Sequence, residues 1–307
     1  MKVVEFASER YGGVGYLEEG RVLDFSRAVA VYGRLYGPIA GAMGNPYFSI
    51  SAMLRAQGQW GHGWFSLSGF RVVREFIAKH SLEEELTVPD AELLPPLGQP
   101  PRIFALGLNY AAHAAEAGRK RPKEPIVFVK ASTAVVGPEE SVCCYQGVGR
   151  IDHEVELAVI IGRAGRRIPR SRAAEHIAGY TILNDVTARD IQKRDQEASN
   201  PWFRSKSFDT FAPMGPCITL PDEIQEPCEL DISLRVNGET RQSSNTRDLI
   251  FKVPDLIHWL SRYITLEPGD VISTGTPSGI SAIKPGDVME AEIERIGVLR
   301  NPVVAAR

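Results

Sequence analysis

Short apolar runs open the chain. KVVEF, GVGYLEEG and RVLDFS each read as a strand beside a glycine-rich turn. Residues 49–57 and 68–80 read as helices. In the second, Phe70, Val73, Phe76 and Ile77 recur at helical spacing. Together these elements predict a small α+β unit over residues 1–85. Thr87 to Pro101 then carries five prolines in fifteen residues, which disfavours a helix interior or a central strand and predicts a Pro-rich linker over 86–100. From residue 101 to 307 the pattern is strand-rich: PRIFALGLN, PIVFVKAS, EVELAVIIG, YTILNDVT, ELDISLRVNG, DVISTG and VMEAEIERIG. Only AAHAAEAG, SRAAEHIAG and VPDLIHWLSRYI read as helices there. Irregular spacing, frequent Pro-Gly turns and the lack of a βαβ rhythm predict a mixed, β-rich α+β fold.

Composition excludes more than it identifies. The 307 residues are 43% hydrophobic and 24% charged, which is globular and not disordered. Lys plus Arg total 35 against 38 Asp plus Glu, a net charge of -3 that argues against nucleic acid or a membrane surface as partner. Four cysteines with no C-x-x-C predict free thiols and a cytoplasmic setting. The first residues run early into Glu9 and Arg10 without a secretory apolar core. No apolar run approaches the ~18 residues of a membrane-spanning helix. Neither G-x-G-x-x-G nor G-x-x-x-x-G-K-[ST] occurs, so the usual phosphate loops are missing.

The chemistry concentrates in IDHEVELAVIIG, residues Ile151 to Gly162. Glu154 and Glu156 share one face of a strand, with Ala158 and Ile160 continuing it; Val155, Leu157, Val159 and Ile161 form the other face. Carboxylates entering an apolar face cost several kcal/mol each unless a cation compensates. Asp185, where YTILND ends, offers a third carboxylate, and an all-oxygen set suits Mg²⁺ or Mn²⁺ better than zinc. Spacing alone leaves open ordinary edge glutamates and a turn aspartate. Lys130 and Lys206 each follow apolar or aromatic residues and either reach a polar pocket or snorkel to the surface. His113 and Glu116, three apart in a helix, form either a proton-transfer dyad or an exposed pair. Arg119 to Arg121 form a basic run that attracts an anion or is solvated. His62, in WGHGW, reads as a structural turn histidine.

These pieces occur in an order that resembles the fumarylacetoacetate hydrolase family: GLNYAAHAAEAG, PIVFVKAS, IDHEVELAVIIG, GYTILNDVTARDIQ, PWFRSKSFDTFAPMGP, LRVNGE and LEPGDVISTGTPSG, spanning most of residues 102–293. The resemblance implies a C-terminal β-sandwich or β-roll, a small variable N-terminal domain and a homodimer. It implies a divalent ion, Mg²⁺ or Mn²⁺, on Glu154, Glu156 and Asp185. Lys206, His113 and Glu116 take the family's catalytic positions. Arg189, Gln192 and Thr276 take substrate-contact positions, and Lys130 is added as a further candidate contact. The larger mammalian-type hydrolases contribute a fourth aspartate; Phe104–Asn109 holds none, which places the chain with the smaller hydrolase, decarboxylase and isomerase branch. The implied substrate is a small anionic 2-oxo acid. The expected activity is hydrolysis of the C3–C4 bond of an acylpyruvate or fumarylpyruvate through a pyruvate enolate. His113 serves as base, Lys206 offsets developing charge, and residues about 110–123 form a lid. The alternative is decarboxylation or isomerisation of 2-oxo or 2-hydroxy-diene dioates in aromatic catabolism, or of oxaloacetate.

Overall fold

A computed structural model describes residues 1–37, 49–60, 65, 67–100, 102–116, 118–224 and 228–306. His62 lies outside the described residues. Three strands open the chain, β1 (Lys2–Ala7), β2 (Gly12–Glu18) and β3 (Arg21–Asp24), followed by helices α1 (Phe25–Tyr36), α2 (Ile50–Trp60), α3 (Leu67–Lys79) and α4 (Glu83–Leu86). Then come β4 (Glu92–Leu94), β5 (Ile103–Gly107), α5 (Ala111–Glu116), β6 (Ile126–Lys130), β7 (Val135–Val136), β8 (Val142–Cys144), β9 (Ile151–Asp152), β10 (Val155–Ile161) and β11 (Ile177–Asn184). The remainder is β12 (Thr187–Ala188), α6 (Arg189–Glu197), α7 (Phe203–Lys206), β13 (Ala212–Thr219), β14 (Asp231–Val236), β15 (Glu239–Asn245), α8 (Val253–Tyr263), β16 (Val271–Ser273), β17 (Ala282–Ile283), β18 (Val288–Ile293) and β19 (Gly297–Ala305).

The result is the mixed α+β fold that the strand pattern predicts. The main path of the large sheet runs β3-β2-β1-β13-β11-β10-β16-β5-β6, and a five-stranded sheet runs β15-β14-β18-β19-β8. Val155, Leu157, Val159 and Ile161 pack in one apolar core with Leu234, Met289 and Leu299 of the second sheet. Ala158 and Ile160 pack on the opposite face, in a core shared with Phe25, Leu54 and Phe70 of the N-terminal helices. Strand β10 is therefore covered on both faces, which explains its near-continuous apolar run.

Four local features differ from the sequence pattern. RVLDFS stops being a strand at Asp24, whose carboxylate accepts the Arg27 N–H at 2.9 Å and caps α1. SRAAEHIAG is a 3₁₀ segment over Arg170–His176 that passes directly into β11. Strand β13 is hidden in sequence by Pro213 and Pro216; the β11 ladder shifts register between Tyr180 and Ile182 close to Gly215. The proline-rich stretch also carries β4, which pairs with β1, while Val88 N–H donates to Val22 C=O at 2.9 Å. Strand β1 in turn pairs with β13, matching Lys2 to Thr219 and Val3 to Ile218. Among the described residues no helix is long and apolar enough to cross a membrane.

Glu5 on β1 accepts the Ile50 N–H at 2.5 Å, at the start of α2. Burial raises its carboxyl to about 7, partly opposed by the Ile50 and Ser51 N–H groups. A folded-state pKa above the unfolded one means the fold binds the proton more tightly. Stability is then full below the unfolded value near 4.5 and falls as pH rises through about 7. Glu5→Gln keeps an acceptor and removes the charge. It is expected to flatten this dependence and to gain at most about 3 kcal/mol at pH 8, read from urea unfolding at pH 5 and pH 8. An unchanged pH slope in the variant would contradict the assignment.

Candidate active site

Strand pairing brings the acids together. Glu154 immediately precedes β10 and Glu156 is its second residue. In the β10–β11 ladder Val155 faces Asn184 and Glu156 faces Leu183. Asp185 N–H donates to Glu154 C=O at 2.8 Å, and Asn184 Oδ1 accepts the Glu154 N–H at 2.8 Å. Asp185 thus leaves β11 directly opposite the glutamates. Carboxylate oxygens of Glu154, Glu156 and Asp185 lie within 4.8 Å of one another, and all three residues are buried.

Cations crowd around this cluster. Lys206 Nζ donates to Glu154 Oε2 at 2.9 Å and to Asp185 Oδ2 at 2.5 Å, and sits 4.9 Å from the Phe128 ring centroid. Arg189 bonds Glu154 Oε1 and also donates Nε–H to Asp152 Oδ2 at 2.8 Å. Burial opposes the charge of Glu154, but Lys206, Arg189 and His113 outweigh it and hold its carboxyl below the usual range. Burial likewise opposes charging Lys206, and Asp185 and Glu154 reverse that effect and raise it. Glu156 differs. Burial, then Asp185, pushes its carboxyl well above the usual range, although the Ser273 hydroxyl pulls the other way. Its Oε2 accepts from Ser273 Oγ at 2.6 Å and Gly275 N–H at 2.8 Å, while Oε1 is buried with no hydrogen-bond partner among the described residues. A hard, oxygen-seeking cation would satisfy that orphaned oxygen and relieve the crowding of three carboxylates, so the donor set fits Mg²⁺ or Mn²⁺.

Beside the cluster opens a cavity of about 810 Å³, lined by His113, Glu116, Glu154, Arg189, Gln192, Lys206 and Thr276 among others. His113 is buried, and its Nδ1 lies 3.3 Å from Glu116 Oε2. Glu116 also accepts the Gly279 N–H, at 3.1 Å and 3.2 Å from its two oxygens, which ties α5 to the loop after β16. With Nδ1 held by Glu116, the His113 Nε2 is the ring atom left for proton exchange. Trp202 and Phe128 meet edge-to-face at 5.6 Å and form an apolar wall. Gly107 permits this wall, because a Cβ there would lie 2.7 Å from the Trp202 ring.

Lys130 is placed differently from its expected position at the substrate. Its Nζ donates to Asp185 Oδ1 at 2.6 Å, to Val186 C=O at 3.4 Å and to Lys206 C=O. All three ammonium donors face protein acceptors, so Lys130 stands behind Asp185 as its counter-ion and not on the cavity wall. Burial pulls it below the usual lysine range against the attraction of Asp185. Asp152 was not singled out by its chemistry in the sequence. It is fully buried and is clamped by Arg150 Nε at 2.6 Å and Arg189 Nε at 2.8 Å. Its signal was available: Asp152, Glu154 and Glu156 follow one another at the strand period of two. Arg189 is further fixed by donating to Gln192 Oε1 at 2.5 Å.

The family model for the C-terminal part of fumarylacetoacetate (FAA) hydrolase matches residues 102–304. The chain belongs to that family and is an enzyme of its superfamily. A mitochondrial oxaloacetate tautomerase of Homo sapiens is 42% identical over 238 residues, covering 74% of this chain and 75% of the relative. The structure of 5-carboxymethyl-2-hydroxymuconate delta-isomerase from Mycobacterium smegmatis is 32% identical, with a TM-score of 0.72 over 100% of both chains. The fumarylpyruvate hydrolase of Pseudomonas aeruginosa, solved with Mn²⁺ and pyruvate, is 37% identical with a TM-score of 0.65, covering 70% of this chain and 92% of that one.

Replacing Lys130 by Met would take the donor from the buried Asp185 Oδ1 and from two carbonyl oxygens, leaving Lys206 alone against Asp185. The expected loss is about 3–5 kcal/mol of unfolding free energy, against under about 0.5 kcal/mol for a solvated lysine. Urea denaturation of the two proteins measures the difference.

Proposed function

We propose that the chain is a divalent-metal-dependent isomerase that moves a proton between the enol and keto forms of a small 2-oxo dicarboxylate. The observation that carries this reading is the pairing of a held histidine with a carboxylate cluster at one cavity. Glu116 fixes His113 Nδ1, so Nε2 takes the enol O–H proton and delivers it to C3 of the substrate, and the reverse transfer regenerates the enol. Lys206 uses two donors on Glu154 and Asp185, and its third N–H holds the 2-oxygen and offsets enolate charge. Arg189 and Gln192 line the same cavity and orient the substrate's carboxylate. When bound at Glu154, Glu156 and Asp185, a divalent cation supplies Lewis-acid stabilisation of that enolate. Proton transfer needs only these groups, and the relatives named tautomerase and isomerase support it.

Hydrolysis of a 2,4-diketo acid is the second reading. It uses the same groups with an added water that His113 activates, and it is favoured by the likeness to a fumarylpyruvate hydrolase. Incubating the Mn²⁺-loaded protein with enol-form oxaloacetate and with fumarylpyruvate separates the two. Isomerisation removes enol absorbance at constant mass, whereas hydrolysis releases a second acid visible by mass spectrometry. His113→Ala is expected to slow the isomerisation by about 10²- to 10⁴-fold. Glu156→Gln is expected to weaken Mn²⁺ binding and activity together, read by calorimetry and by the same absorbance assay. A Glu156→Gln variant with wild-type Mn²⁺ affinity would remove Glu156 from the ligand set.

A further inference from the structure

Helix α6 carries Arg189 at its start and Lys193 one turn further on, with Gln196 continuing the same face. All three line the cavity. Arg189 is committed inward, to Asp152, Glu154 and Gln192. Lys193 is exposed, and no acid among the described residues pairs with it. A rise of ~1.5 Å per residue sets the two cations about 6 Å apart along the helix axis. The far end of α6 is fixed by its connection to α7. Asn200 N–H donates to Asp195 C=O at 2.7 Å, and Arg204 Nε donates to the buried Asp195 carboxylate at 2.8 Å and 3.0 Å. The chain turns back there, so that Trp202 lines the same cavity as Lys193.

Charge along the cavity is unevenly spent. Its acids all have partners: Glu116 takes His113 and the Gly279 N–H, Asp152 takes Arg150 and Arg189, and Glu154 takes Arg189 and Lys206. Lys193 is therefore surplus positive charge, and Arg119 and Lys120, just after α5, add to it on the same cavity. Between this rim and Lys206 the wall is apolar. Phe128 lies 4.9 Å from Lys206 Nζ, and Trp202 packs on Phe128. The sequence of a cationic inner end, an apolar wall and a cationic rim matches a molecule with a carboxylate at each end of a carbon chain. At about 810 Å³ the cavity is far larger than a four-carbon 2-oxo dioate requires.

We propose that Lys193 is a specificity-determining residue that takes the far carboxylate of a 2-oxo dioate longer than four carbons, whose 2-oxo end lies at Arg189 and Lys206 and whose chain runs along Phe128 and Trp202. The carbon–carbon bonds of a four-carbon dioate cover less than the ~6 Å between the two helical positions, whereas a chain of about six or seven carbons matches it. This inference rests on the isomerase reading and adds to it the length of the substrate.

Saturated 2-oxo dioates of four to seven carbons, each set against the 2-oxo monoacid of equal length, test it by calorimetry on the Mn²⁺-loaded protein. The dioate-to-monoacid affinity ratio is expected to be about 3- to 10-fold higher for the six- or seven-carbon pair than for the four-carbon pair, the worth of one hydrogen-bonded ion pair. Lys193→Met is expected to remove that excess and Lys193→Arg to restore it. Lys123→Met replaces an exposed lysine that does not line the cavity, and is expected to keep the wild-type ratios. A ratio highest at four carbons overturns the proposal, and so does failure to bind any of the acids. A long-chain ratio that is unchanged in Lys193→Met, or lowered equally in Lys123→Met, overturns it too, the latter because a general field would then be acting. Conversion of enol-form oxaloacetate at constant mass is followed separately. Its absence with the length dependence intact overturns the isomerase reading alone; its presence without length dependence overturns the role of Lys193 alone.

Discussion

Three carboxylates held within a few ångströms of one another inside an apolar sheet are the constraint on which the site is built. Like charges at that distance, removed from water, repel strongly and are poorly solvated. Each neighbour answers that problem in its own way. Lys130 and Lys206 neutralise Asp185 from behind and from the cavity, Arg189 and Lys206 divide the two oxygens of Glu154, and Ser273 and Gly275 occupy only one oxygen of Glu156. The remaining oxygen of Glu156 is where compensation is incomplete, and a divalent cation there would complete it.

The strand geometry makes that cluster inexpensive to assemble. Two glutamates come from one strand at the pleat period, and the aspartate comes from its hydrogen-bonded neighbour, so no long-range loop has to be ordered to unite them. The apolar faces that flank them are anchored by two separate cores, one against the second sheet and one against the N-terminal helices. Rigidity of the acids follows from this double anchoring. The His113–Glu116 pair sits instead on a helix of six residues that is tied down by the Gly279 N–H. The acids thus sit on the sheet, and the histidine sits on a short helix held to the loop after β16.

Legibility in the sequence tracked how local each cause was. The glutamates, Asp185, His113 and Glu116 were picked out as candidates by alternation, a strand end and helical spacing, which act over a few residues, but spacing left their roles open and only the ordered family resemblance joined them into one site. Lys130 was readable as a candidate but not in its position, because only the fold reveals that its donors point to Asp185 and to two carbonyls. Gln242 carried no signal at all: it reaches from β15 to Val155 and Thr276 across the two sheets, and nothing near it in sequence shares its partners. Strand β13 was lost for another reason. Its prolines argue against a central strand, and the register shift beside Gly215 that accommodates them is visible only once β11 lies alongside.

The pairing of β1 with β13 has a consequence for the edge of the large sheet. Main-chain donors and acceptors at the Ile218–Thr219 end of β13 are covered by Lys2 and Val3. The segment matched by the family model starts only at residue 102. A fragment cut there would bare that hydrogen-bonding rim, together with the apolar surface that α1, α2 and α3 now shield. Open strand rims beside apolar surface are templates for unwanted association. In this sense β1 and the helices behind it cover a sheet rim that would otherwise stand open to other chains.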